Sequence, residues 1–146
     1  MLFRSKQIDV AVPANLKLGK PEKDQPMTDA DWAPLTFTFA GIWEIQSDWV
    51  EENAGRVQIL DVREADEFDG PLGHIHGAIL IPLGQLTARA SELDKAKPVV
   101  AVCRSGARSA QATILLKQAG FAKVANLTGG MLRWRASHHA VEGGHL

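Results

Sequence analysis

Pro98-Val-Val-Ala-Val-Cys103-Arg-Ser-Gly-Ala-Arg-Ser109 is the stretch that decides the fold. Val99 to Cys103 is apolar at every position, rich in β-branched residues and too short for a stable helix, so it reads as a strand. A strand with no polar alternation is buried on both faces, as happens in a parallel sheet covered by helices. Ala107–Gln118 follows with apolar residues at 110, 114 and 115, a helical spacing, and Gly120 stands where a helix C-cap is expected. The same alternation extends outward in both directions. Upstream lie an apolar run Val57–Val62, a short acidic helical stretch Glu64–Phe68, a second run Ala78–Ile81 stopped by Pro82, and a helical segment near Gln85–Leu93. Downstream lie a short strand Val124–Leu127 and a turn at Gly129-Gly130 into a last helix carrying Trp134. Strands alternating with helices imply crossover units around one buried, mostly parallel sheet.

Before residue 41 the pattern is different. Lys17 to Asp31 is polar and aperiodic and reads as an extended arm, although Leu35–Phe39 alternates as a short strand would. Ser47 is placed to cap a helix over Asp48–Asn53. The expected organisation is an arm over 1–40, one compact α/β domain over 41–137 and a polar tail over 138–146. The 146 residues suit a single core, and 16 Lys+Arg against 17 Asp+Glu give no global field for nucleic acid or an anionic membrane. The N-terminal residues have no apolar stretch of the kind a secretory signal needs, and no run is long enough to span a bilayer. Asn126-Leu127-Thr128 matches a glycosylation sequon, read here as chance. The chain holds one cysteine, so it forms no internal disulfide and no zinc site of several thiolates. A lone thiol fits a reducing compartment, and the expected location is the cytoplasm.

By itself, a cysteine ending a buried strand reads as an inert small hydrophobe. Its neighbours change that reading. In open α/β sheets, ligands bind beyond the carboxyl ends of the strands, where Cys103 stands. The loop Arg104-Ser105-Gly106-Ala107-Arg108-Ser109 then leads into a helix N-terminus. Gly106 permits a curl in which backbone N–H groups converge as an anion nest, and Arg104 and Arg108 add positive charge. Each feature favours the thiolate, the reactive form. The loop therefore reads as a nucleophilic thiolate in a pocket for an anion.

This loop resembles the active-site loop of rhodanese-type sulfurtransferases. Two further stretches agree in the same order. Asp61-Val-Arg-Glu64 with Glu67-Phe68, then Gly73-His-Ile-His-Gly-Ala78 leading to Ile81-Pro82-Leu83, resembles the family's first motif; Leu127-Thr-Gly-Gly-Met-Leu-Arg-Trp134 resembles its closing one. The resemblance covers about residues 42–136. It implies a rhodanese-like three-layer α/β domain, with a central mostly parallel sheet flanked by helices. It implies Cys103 as the persulfide-forming nucleophile and residues 104–109 as the substrate-binding loop, with Arg63 expected at the pocket rim and no cofactor or metal. Four residues separate Cys103 from Arg108, the spacing of the sulfur-transferring members; related phosphatases and arsenate reductases have one more. The implied chemistry is two-step transfer of a sulfane sulfur from a small anionic donor, thiosulfate or glutathione persulfide, to cyanide, sulfite or a thiol. With no second cysteine to act as a resolving thiol, the acceptor is external. Two other readings stay open: a cysteine-dependent phosphatase or arsenate reductase of the same fold, and a non-catalytic module that binds a partner protein.

Gln7-Ile-Asp-Val-Ala-Val-Pro-Ala-Asn15 resembles the C-terminal end of persulfide dioxygenases, some of which carry a rhodanese domain directly after this segment. That implies a functional link to such an enzyme; the competing reading is an ordinary linker. Asp61 is expected to pair with Arg63 or loop amides rather than act as a base, and Glu64 and Glu67 to form a solvated helix face. His74 and His76 share one face of an extended segment, and His74 reads as a packed, hydrogen-bonded residue rather than a ligand. His138, His139 and His145 fall in the polar tail. Trp32, Trp43 and Trp49 are expected to pack the arm and first helix on the core, and Trp134 to bury the last helix near the pocket.

Overall fold

A computed structural model describes residues 36–37 and 41–144. Apart from Thr36 and Phe37, the proposed arm, with its Gln7–Asn15 segment and Trp32, lies outside these residues, as does His145. Among the described residues a six-stranded sheet runs in the order β1-β2-β6-β5-β3-β4, with β1 (Thr36–Phe37), β2 (Trp43–Ile45), β3 (Gln58–Asp61), β4 (Ile79–Leu80), β5 (Val99–Val102) and β6 (Val124–Leu127). Only β1 is antiparallel, pairing Phe37 with Trp43; the other five strands are parallel. The helices are α1 (Ser47–Asn53), α2 (Ala65–Phe68), α3 (Leu86–Arg89), α4 (Ala107–Gln118) and α5 (Gly130–Ala136). The expected α/β architecture with a mostly parallel sheet is the one observed.

β5 lies at the centre, paired with β3 from Gln58↔Val99 to Asp61↔Val102 and with β6 from Val99↔Val124. Because side chains alternate along a strand, it feeds two separate cores. Val100 and Val102 join Ile45, Val50, Ile59, Leu127, Met131 and Trp134 on one face. Val99, Ala101 and Cys103 join Leu60, Ile81, Leu86, Leu116 and Phe121 on the other. All four β5 residues are fully buried. Cys103 thus points to the face covered by α3 and α4.

Several local expectations are corrected. The buried stripe of α4 is Ser109, Ala112, Thr113 and Leu116; Leu115 packs partly against the same core, Ala110 is half-buried, and Ile114 is 45% exposed. Two hydroxyls fit this stripe because each has an internal acceptor, Thr113 Oγ1 donating to the Ala110 carbonyl at 2.7 Å. Ser47 does not cap α1: Gln46 is the cap residue, its carbonyl accepting from Val50 N–H. The segment 85–93 is helical only over α3, with 3₁₀ turns on either side. Trp43 is 36% exposed on β2, whereas Trp49 packs on the core and Trp134 is buried in it. Gly120 does follow α4 with φ +98°, in the left-handed region its place requires.

The segment after α5 is polar but anchored. His74 and Glu142 exchange backbone hydrogen bonds, and His139 stacks at an angle on Trp134 while its Nε2 meets Asp48 at 2.9 Å. His74 stacks flat on Phe68 and bonds the Phe68 carbonyl through Nδ1, the packed role expected of it. Among the described residues no helix is long and apolar enough to cross a membrane.

Candidate active site

Cys103 is 1% exposed, and its sulfur sits in a ring of donors. Gly106 N–H reaches Sγ at 3.0 Å and the Ser109 hydroxyl at 3.3 Å. Burial pushes the thiol pKa up from its ordinary 9.0, but the Ser109 hydroxyl and the N–H groups of Ser109, Gly106 and Ser105 outweigh it, leaving the thiol more acidic. The buried sulfur is therefore set up to carry negative charge.

The donors converge because the loop's carbonyls are turned away. Cys103 C=O accepts from Met131 N–H at 2.9 Å, Arg104 C=O from Leu132 N–H at 3.0 Å, and Gly106 C=O from Ala110 N–H at 3.1 Å. In a trans peptide the C=O and the following N–H point in opposite directions. Anchoring these three carbonyls on α5 and α4 fixes the loop's peptide planes, and the Ser105 N–H, which follows the Arg104 carbonyl, is thereby turned the other way, toward the sulfur. Gly106 caps α4 at φ +117°, a backbone angle that excludes most side chains. Gly130 is required by space as well: a Cβ there would lie 2.5 Å from the Cys103 carbonyl oxygen and 2.6 Å from that of Arg104.

The arginines divide into separate roles. Arg104 is exposed at the mouth of the loop, with Ser105 and Ala107. Arg108 is committed: its Nη1 and Nη2 meet Glu67 Oε1 and Oε2 at 2.6 and 2.8 Å. Glu67, expected on a solvated helix face, is instead the loop's counter-ion. The Arg108 guanidinium holds its carboxyl down to about 2, aided by the Glu64 N–H and opposed by burial. Arg63, expected at the rim, is 1% exposed. It forms a two-point pair with Asp61 at 2.9 and 2.8 Å and donates to the carbonyls of Gly73 and Glu67. A cation this enclosed keeps its partners, since breaking them would strand a buried charge. Asp61 takes the structural role anticipated for it.

One residue of the site was read otherwise in the sequence. Asn126, 2% exposed on β6, accepts from the Ser109 hydroxyl through Oδ1 at 2.5 Å and donates from Nδ2 to the Gly106 carbonyl at 3.1 Å. Asn126 stands in a sequon, but its place in the site comes from pairing a buried Asn with a buried Ser 17 positions away. His74 and His76 both meet Glu142 instead of the loop. Among the described residues no group of three or more His, Cys, Asp or Glu is placed to hold a metal ion.

The rhodanese-like domain model matches residues 46–137, which spans β-strands, loop and closing helix alike. The chain belongs to the rhodanese-like domain family. A sulfurtransferase of Allochromatium vinosum is 41% identical over 78 residues, covering 53% of this chain and 71% of its own. The Bacillus subtilis protein YqhL is 43% identical over 79 residues, 54% of this chain but 61% of YqhL, so the match spans less than two thirds of that relative. Among solved structures, a rhodanese-related protein of Thermoplasma volcanium superposes with a TM-score of 0.62 at 30% identity, covering 66% of this chain and 94% of that one. The rhodanese-like domain here holds its cysteine on the loop after β5, inside the matched region.

Proposed function

We propose that this rhodanese-like domain is a sulfurtransferase that carries a sulfane sulfur on Cys103. The observation that carries the reading is the sulfur itself: buried, made more acidic, and met by the Gly106 N–H and the Ser109 hydroxyl. The Cys103 thiolate attacks the outer sulfur of thiosulfate or glutathione persulfide. An S–S bond forms to Cys103, the donor's S–S bond breaks, and sulfite or glutathione thiolate leaves with the electron pair. An external acceptor, such as cyanide, sulfite or a thiol, then takes the outer sulfur and returns the thiolate. No net oxidation of the protein occurs, and the loop amides hold the negative sulfur in both steps. The lone cysteine supports an external acceptor. A thiol that must stay reduced to work fits the cytoplasm.

For the physiological donor we favour glutathione persulfide, made or consumed alongside a persulfide dioxygenase, on the resemblance of Gln7–Asn15 and on the neutralised Arg108. The loop spacing favours this over phosphatase or arsenate reductase chemistry, and retention of Cys103 and Gly106 favours it over a non-catalytic binding module. The test is intact-protein mass spectrometry after donor exposure, with turnover followed in parallel for thiosulfate, glutathione persulfide and an aryl phosphate. One added sulfur on Cys103, lost in Cys103→Ser together with turnover, is the expected result. An unmodified thiol, or robust phosphate hydrolysis, would overturn it.

A further inference from the structure

The Ser109 hydroxyl has one hydrogen and three acceptors within reach: Cys103 Sγ at 3.3 Å, the Gly106 carbonyl at 3.3 Å and Asn126 Oδ1 at 2.5 Å. Which way Asn126 faces is fixed by its other end. Its Nδ2 donates to the Gly106 carbonyl, an obligate acceptor, so a flipped amide would bring two oxygens together there. Oδ1 therefore faces Ser109 and can only accept. Two oxygens at this separation need a hydrogen between them, so with a neutral thiol the Ser109 proton lies on the Asn126 side. When Cys103 becomes a thiolate, the strongest acceptor within reach of the hydroxyl is the sulfur.

We propose that Asn126 is a positioning residue that turns the Ser109 hydroxyl into a two-position donor following the charge on Cys103 Sγ. Asn126 takes the hydrogen while Sγ is neutral, as a thiol or as the inner atom of a persulfide. It gives the hydrogen up when Sγ is a thiolate, before sulfur is received and again as the acceptor removes it. No proton leaves Ser109; the O–H turns to the sulfur and the Ser109 and Asn126 oxygens draw apart as it does. All three groups are enclosed, Ser109 at 0%, Cys103 at 1% and Asn126 at 2% exposure, so water does not substitute for either acceptor. The charged groups facing this trio are Glu44 of β2, whose Oε2 lies 3.4 Å from Asn126 Nδ2, and Arg108, which acts on Cys103 through space.

A competing acceptor has a consequence opposite to that of a simple scaffold. In the wild type, ionising Cys103 removes the hydrogen from Asn126 Oδ1 and leaves that oxygen buried without it. Removing the acceptor removes this cost. Asn126→Ala and the volume-preserving Asn126→Leu should therefore lower the Cys103 thiol pKa by about half a unit, about threefold more thiolate at a pH below it. In a Ser109→Ala background neither substitution should move it. The readout is ultraviolet thiolate absorbance against pH. In the unmutated protein, the Asn126 side-chain carbonyl carbon should titrate in NMR with the same midpoint as Cys103. A pKa that is unchanged or raised in the Asn126 variants, a shift that persists in full in Ser109→Ala, or a carbonyl signal that stays flat through the thiol titration would overturn the proposal. The proposal rests on Cys103 as the sulfur-carrying nucleophile, but these titrations need no turnover. A failed sulfur-transfer assay and a failed titration are separate results.

Discussion

Arg108 and Glu67 face each other across 41 residues of sequence, both guanidinium Nη atoms on both carboxylate oxygens. Arg108 is thus already neutralised, and under the proposed function the loop's attraction for anions rests on its backbone amides and the exposed Arg104. Glu67→Gln frees Arg108 while keeping the side-chain shape. Steady-state kinetics should then show the KM for dianionic thiosulfate falling about threefold or more, with glutathione persulfide changing less, because the added charge acts chiefly on the more highly charged donor. Equal changes for both donors would count against Arg108 as the discriminating charge.

The same pair makes stability depend on acid. Glu67 has a folded-state pKa of about 2 against an ordinary 4.5, so its contribution is present above about pH 4.5 and is lost as pH falls toward 2. Both partners are partly exposed, Arg108 by 37%, and solvent screening limits the contribution to about 1 kcal/mol. Denaturant unfolding at a series of pH values should show this loss in the wild type and not in Glu67→Gln.

Ser109→Ala removes a hydroxyl donor from the thiolate. The thiol pKa should rise by about one unit. Alkylation rate against pH reads this directly: the profile should shift to higher pH without changing its plateau.

The Asp61–Arg63 pair is buried on both sides, with each side chain 1% exposed. Asp61→Asn leaves a guanidinium without its counter-charge and should cost about 3 kcal/mol in thermal or denaturant unfolding. Removing both partners together, as Asp61→Asn with Arg63→Met, should cost less than the single change.

Gly130→Ala tests the backing of the loop. It places a Cβ against the backbone carbonyls of Cys103 and Arg104 at a residue with φ +57°. The expected outcome is a loss of about 2–4 kcal/mol of stability, with thiol acidity reduced in whatever folds, since the carbonyls that set the amide directions must move.

Much of this molecule is legible from its sequence because the informative residues are contiguous. β5, the loop and α4 follow one another without interruption, and Gly106 and Gly120 mark the two ends of α4. The paired features escape such a reading. Glu67 looks solvated until α2 is placed beside the loop, and Asn126 looks incidental until β6 is laid against β5. Arg63 stands two residues beyond the end of β3, where periodicity no longer says whether a long cation turns outward or back. Its inward turn depends on Asp61 and on the carbonyls of Gly73 and Glu67, which meet only in the fold. The buried face of α4 is hidden for a related reason: hydroxyls at 109 and 113 count as polar in a pattern, yet each is satisfied inside.

The anchoring of the Cys103, Arg104 and Gly106 carbonyls on α4 and α5 has a consequence for how such a protein can be altered. Sulfur charge is met by main-chain amides and the Ser109 hydroxyl, all held from within the fold, while the side chains of 104, 105 and 107 project at the mouth. The two tasks of holding the reacting atom and choosing its carrier are carried by different atoms of the same six residues. If the loop takes a sulfur donor as proposed, donor preference can change one exposed side chain at a time without dismantling the chemistry beneath it.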